Sequence, residues 1–217
     1  MSILTIFESH LSPSLLSTFH SLTSPFLIQQ YLDSMPYQAV ERDRSPLNVM
    51  RDNQSHCLDG GLLAALALWR IGFRPLILDI RPDPGVDDDH VLALYQLDGG
   101  WGTLAKSNYV NLGFREAVHR NLRELVMTYF EHYASIHQAK VLRAYTRPFD
   151  VSKFKPADWA WNEDSTVKLY KRFYSLKPIP LISPQMAARL NPVTDRNYAC
   201  ETLFTDLSWS FGNRDGH

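Results

Sequence analysis

The stretch Cys57 to Ile71, CLDGGLLAALALWRI, constrains this chain more than any other. Leu and Ala dominate it, and Gly72 stands where a helix commonly ends in a left-handed residue. Its longest unbroken apolar run, Leu62 to Trp69, is eight residues and far short of a bilayer span. A helix this apolar is buried on most sides, so the rest of the chain must be built around it. With 217 residues, 45% of them apolar, the chain has material for one core with an elaborated end.

The flanking segments change period. Residues 1–36 read as helices punctuated by Ser12-Pro13 and Ser24-Pro25, where a Ser cap precedes Pro at the first helical turn. Residues 37–53 read as a loop with one short helical turn. After Gly72, Leu76 to Ile80 is a strand, and Arg81 to Asp89 is a Pro- and Asp-rich loop. His90 to Leu97 is a second strand, Asp98-Gly99-Gly100 a turn, and Trp101 to about Asn108 a third strand. Residues 117–139 return to helical spacing through Leu122, Leu125, Val126, Tyr129, Phe130 and Tyr133. The expectation is an α+β fold: a central helix starting at the Cys, packed on a short antiparallel sheet, with helical N- and C-terminal extensions. Residues 1–139 would form the core, and 140–217 an irregular or helical extension capping it. No internal repeat or low-complexity tract is present.

Charge and cysteine content narrow the function classes. The 22 basic and 23 acidic residues leave a net charge of −1, so no global field draws in nucleic acid or an anionic membrane. Two cysteines make no disulfide framework. No Lys or Arg precedes Arg42, which fits neither a signal peptide nor a transit peptide and leads to the expectation of a cytoplasmic protein.

Cys57 is the residue with the most chemistry. A thiol at a helix start faces unpaired N–H groups and the positive end of the dipole, which favours the thiolate. An unselected Cys is more often a small buried apolar residue. The presence of His90, opening the strand after the acidic loop, favours the nucleophile, since a thiolate needs an imidazole to hold or deliver its proton. The hairpin offers the third partner. A three-residue turn places Asn108 across from His90, and a two-residue turn places Ser107 there; Asn108, with the longer reach, suits the role better. The backbone N–H of Cys57 and the side chain of Gln54 are candidate oxyanion donors, Gln54 being as readily an ordinary loop residue. His56 adjoins Cys57 and points away from it, which makes it a surface or second-layer residue rather than the base.

The run Cys57-Leu-Asp-Gly-Gly-Leu-Leu-Ala-Ala-Leu-Ala-Leu-Trp-Arg-Ile-Gly72-Phe-Arg-Pro resembles the core of the transglutaminase-like thiol enzymes, with their papain-like Cys-His pair. His90-Val-Leu-Ala-Leu-Tyr-Gln-Leu-Asp-Gly-Gly-Trp101 is similar to that family's His-strand-turn-Trp segment, and the resemblance covers about residues 25–108. It implies Cys57 as nucleophile, His90 as base and Trp101 as a supporting residue. The family's usual third member, an Asp, has no counterpart between Trp101 and Asn108.

Other constellations are weaker. Asp79, Asp83, Asp87, Asp88 and Asp89 lack the alternate spacing of a calcium loop and read as a solvated acidic loop. His132 and His137 are five apart, the wrong spacing for a shared helix face, and His119 is isolated. Segment 140–172 carries eight basic and four acidic residues among aromatics but no RNA-binding signature, so a packed cap is the better reading. Cys200 reads as a structural thiol. The expectation is a cysteine-dependent hydrolase or acyltransferase with no cofactor and no metal. Its substrate would be acyl or peptide-like, with an amine or a carrier-bound acyl group as possible second partner. The alternative is a catalytically silent binding module on the same fold.

Overall fold

The computed structural model describes residues 2–39 and 42–213. Three helices open the chain: α1 (Ile3–Ser9), α2 (Pro13–Ser21) and α3 (Pro25–Ser34). Ser12 and Ser24 cap α2 and α3 by accepting Leu15 and Leu27 N–H, with Pro at the first turn; Ser45 repeats the device for α4 (Pro46–Asp52). Helix α5 (Cys57–Arg70) is buried from Leu58 to Leu68. The apolar stretch thus makes the expected central helix, and it begins at the cysteine.

Strands β1 (Leu76–Pro82), β2 (His90–Leu97) and β3 (Gly100–Leu104) follow as an antiparallel meander. The turn between β2 and β3 has two residues, Asp98 and Gly99, both left-handed at φ 50° and 83°, so Leu97 faces Gly100 and Ala93 faces Leu104. Strand β3 ends at Leu104, four residues before its expected limit. Beyond it, the Gln29 amide of α3 takes both backbone groups of Ala105, at 3.0 and 2.9 Å, and the Lys106 ammonium bonds the Leu32 carbonyl at 2.9 Å. These groups are spent on α3 instead of a strand partner.

The helix expected over residues 117–139 is replaced by strand β4 (Arg115–His119) and the shorter helix α6 (Leu122–Phe130). Asn121 accepts Glu124 N–H at 2.9 Å and fixes the helix start, while β4 lies so close to Gly100 that a Cβ there would sit 2.0 Å from the Ala117 oxygen. The C-terminal segment, expected as an irregular or helical cap, has helices and also contributes strands to the sheet. Strands β5 (Leu142–Tyr145) and β6 (Phe149–Asp150) pair with β1, helix α7 (Glu163–Tyr174) joins the core, and β7 (Ile179–Pro180) pairs with β5. Short helices α8 (Pro184–Ala187) and α9 (Asp195–Glu201) follow. The sheet, ordered β4-β3-β2-β1-β5-β7 with β6 beside β1, is therefore wider than the expected short sheet.

Two apolar layers cover this sheet. Ile77, Val91, Ala93 and Tyr95 pack on the α5 side; Leu76, Leu78, Ile80, Leu92 and Leu94 pack on the α6 side. Alternation along β1 and β2 makes this partition. Helix α5 comes near enough that a Cβ on Gly60 would lie 2.4 Å from Lys106 Cβ. The fold class is α+β, with the central helix starting at Cys57 and packed on an antiparallel sheet.

Candidate active site

Cys57 is the first residue of α5, and His56 is its cap: the His56 Nδ1 accepts Leu58 N–H at 3.2 Å. An imidazole nitrogen that accepts is unprotonated, so the neutral ring carries its proton on Nε2. That nitrogen faces Asp59 Oδ2 at 3.4 Å and Asp43 Oδ1 at 3.9 Å. Asp59 is fully buried; its Oδ1 accepts Arg44 N–H at 2.9 Å and the Tyr170 hydroxyl at 3.4 Å. Burial pushes Asp59 up to about 8 against the pull of Arg44, so it is mostly protonated at neutral pH. Asp43, His56 and Asp59 offer three ligand atoms within 4.8 Å of one another, and Arg44 Nη1, 3.7 Å from Asp59 Oδ2, already brings positive charge there. Thus His56 is an integral part of the helix start.

The Cys57 thiol is half-buried and packs on the backbone of β2: Sγ points at the Asp89 carbonyl at 3.9 Å, and the Val91 amide faces the sulfur. Burial, followed by the Asp89 carboxylate, pushes the thiol well above its ordinary value. Helix position favours thiolate, but a dipole end is worth only about 1 kcal/mol, and desolvation together with neighbouring carboxylates outweighs it. The thiol is therefore protonated at neutral pH, contrary to the sequence expectation.

Asp89 is one of a pair. Asp79, fully buried on β1, is raised to about 8 by burial and then by Asp89. Asp79 also pairs with Arg81 Nε, while Tyr174 bonds to Asp89. Two adjoining carboxyls cannot both ionise cheaply, so this pair holds a proton between them. The acidic loop is accordingly not solvated at its two ends. Asp83 in its middle is exposed and pairs with Arg143 at 2.8 Å.

His90 lies elsewhere. Its Nε2 donates to the Leu112 carbonyl at 2.8 Å, and burial lowers it to about 4, so the ring is neutral with Nδ1 unprotonated. It stands in register with Leu92 and Leu94, towards α6, whereas Asp89 stands in register with Val91, towards α5. Among the described residues no hydrogen bond joins Cys57 to His90. Cys57 meets the backbone that carries His90 rather than its ring.

The expected third residue is also corrected. The two-residue turn extrapolates to Ser107 across from His90, but pairing stops at Leu104, and Ser107 Oγ accepts Tyr109 N–H at 2.9 Å instead. The Asn108 amide is committed to Asp206, donating to its carbonyl at 2.7 Å and accepting its N–H at 3.2 Å. Trp101 faces Gln96, about 20 Å along β2 from His90 at the usual rise per residue. Gln54 is not among the residues lining the cavity at Cys57. Both cysteines are free, so no Cys57–Cys200 bridge forms.

Two cavities meet at the start of β2. One, beside Cys57, is walled by Asp43, His56, Asp89 and Tyr174; the other holds His90 with Ser107, Asn108, Tyr133 and Trp209. Tyr37, Asp88 and Asp89 line both. Sequence reading gave Asp79 and Asp89 only as members of a solvated acidic loop, and it missed Tyr174 beside the thiol. Counting alternate residues back from Val91 would have placed Asp89, and not His90, on the α5 side.

The site therefore belongs to an α+β protein whose half-buried cysteine starts the central helix. No family model and no curated protein matches the chain. Among solved structures it is similar to Legionella pneumophila LapG, at 8% identity and a TM-score of 0.43 over 80% of this chain and 96% of that one. EGTA-treated Legionella pneumophila LapG aligns at 12% identity and a TM-score of 0.39, over 54% and 75% of the two chains.

Proposed function

We propose that this chain is a cysteine-dependent acyl-transfer enzyme, a hydrolase or acyltransferase of transglutaminase-like type acting on an amide, ester or thioester. The observation that carries the reading is Cys57 at the first position of α5, beside a cavity and against the strand that begins with His90. The resemblance of the Cys57–Pro75 and His90–Trp101 segments supports it. The arrangement described above is a resting one, with the thiol protonated. For attack, the start of β2 has to turn so that the His90 ring leaves the Leu112 carbonyl and comes round to the α5 side; its Nδ1 then takes the thiol proton while sulfur bonds to the acyl carbon. The carbonyl π pair moves to oxygen, towards the first-turn N–H groups that have no helical acceptor. Collapse expels the leaving group, which takes the proton from imidazolium, and water or an amine then releases the acyl group from sulfur.

A second reading, a catalytically silent binding module, is favoured by one observation: carboxyls rather than the His90 ring face the thiol. Incubation with 4-nitrophenyl acyl esters and peptide mapping separates the two. The enzyme reading expects a hydroxylamine-labile adduct on Cys57, turnover, and loss of both in His90→Ala. Acylation of exposed Cys200 alone would establish the silent module instead.

A further inference from the structure

The C-terminal segment 203–211 runs along Ser107–Val110 and reaches the His90 cavity through Trp209, Ser210 and Phe211, yet it is not part of either apolar core. Its first apolar side chains point to solvent, Phe204 being 90% exposed and Leu203 56%, while the half-buried Trp209 and Phe211 line the cavity. Several polar contacts fasten it. Asn108 makes the two-point contact with the Asp206 main chain, Thr205 Oγ1 donates to the Asn108 carbonyl at 3.1 Å, and the Tyr109 and Ser210 hydroxyls bond at 2.7 Å. A side-chain amide that donates to a carbonyl and accepts the N–H of the same residue reads main chain and ignores side-chain identity. Asp206, at φ −84° and ψ 100°, caps a single 3-10 turn, Leu207–Trp209, by accepting Ser208 N–H on its carboxylate, which leaves its own main-chain N–H and carbonyl to Asn108.

We infer that the groove along Ser107–Leu112 is a peptide-binding site, read through the main chain by Asn108 and occupied in cis by this chain's own residues 203–211. The ligand class is a peptide whose main chain meets Asn108 at the Asp206 position, with the residues at the Trp209 to Phe211 positions lining the His90 cavity. This deepens the acyl-transfer reading and rests on it for the fate of the bound peptide; it makes the acyl donor a peptide. Tethering gives the internal segment a high effective concentration, so a free peptide binds only when the tethered one is loosened.

The test uses the full chain with Asp206→Pro and Ser210→Ala. Proline removes the N–H that Asn108 accepts, at a φ close to its own preference, and leaves the groove side chains intact. Hydrogen exchange over residues 203–211 should quicken at least tenfold. A fluorescein-labelled peptide of those residues, LFTDLSWSF, should bind the double variant at least tenfold more tightly than the parent, by anisotropy. Adding Asn108→Leu should abolish that binding. Ser210→Ala alone, which retains the Asn108 contact, should give an intermediate effect. Unchanged exchange in the double variant, or a loosened segment with no peptide binding, overturns the inference. The binding measurement, repeated in Cys57→Ser, is independent of acylation, so its failure and that of the enzyme reading are distinguishable.

Discussion

Asp89 and His90 are adjacent in sequence and stand on opposite sides of one sheet. On the α5 side, Asp89 and Asp79 share a proton beside a thiol that burial keeps neutral. On the α6 side, His90 is a neutral imidazole bonded to a backbone carbonyl, held at about 4 by burial. Burial therefore drives every group towards its uncharged form, whichever sign its charge would have. A cysteine and a histidine close in the chain become an ion pair only when they also share a side of the strand, and here the strand separates them.

The largest expected effect tests whether the two sides are independent. Leu92, fully buried on the α6 side, should cost about 2–5 kcal/mol of stability when changed to Ala, measured by urea denaturation. The Cys57 alkylation profile with pH should stay as in the parent; a shifted profile would mean that the sides are coupled. Next, Gly60→Ala forces α5 away from Lys106 and should cost about 1–3 kcal/mol. Because α5 carries Cys57, this variant should also change the alkylation rate of that thiol, read by mass spectrometry against Cys200.

Replacing Asp89 by Asn acts on the α5 side alone. Removing that charge should lower the pH at which Cys57 becomes reactive towards iodoacetamide, because the carboxylate helps to hold the thiol up. An unmoved midpoint would assign the whole effect to burial. The smallest expected signal is a slope of stability with pH. Asp59 and Asp79, at about 8 in the fold, retain protons that the unfolded chain releases near pH 4. Their contribution is full below pH 4 and is lost as pH rises towards 8. His90 acts oppositely, losing stability as pH falls from 6.5 towards 4. Between pH 6.5 and 8 only the two carboxyls act among these three, so stability should fall there, and less steeply in Asp59→Asn. Urea titrations at half-unit intervals would check this.

Much of the scaffold was legible because it is written in local chemistry. The Ser-Pro starts of α2 and α3, the apolar run of α5 and the span of β2 each follow from a period or a cap read within a few residues. The hairpin turn was legible only as two alternatives, and left-handed Asp98 selects the shorter one. The early end of β3 was not legible, since the group that takes its backbone is Gln29, 76 residues away in sequence. The strands of the C-terminal segment depend likewise on β1 as a distant template.

For the site, local chemistry is enough to place the thiol at the head of a buried helix and a histidine at the start of a strand. The sequence also contains the alternation that sends Asp89 and His90 apart. The chemistry of that thiol comes from packing between distant segments. Its charge state depends on how much water is removed and which carboxyls approach, and Asp79, Asp89 and Tyr174 reach it from three separate elements. The fate of Asn108 was decided in the same way, by a segment 98 residues further along whose main chain answers both ends of its amide.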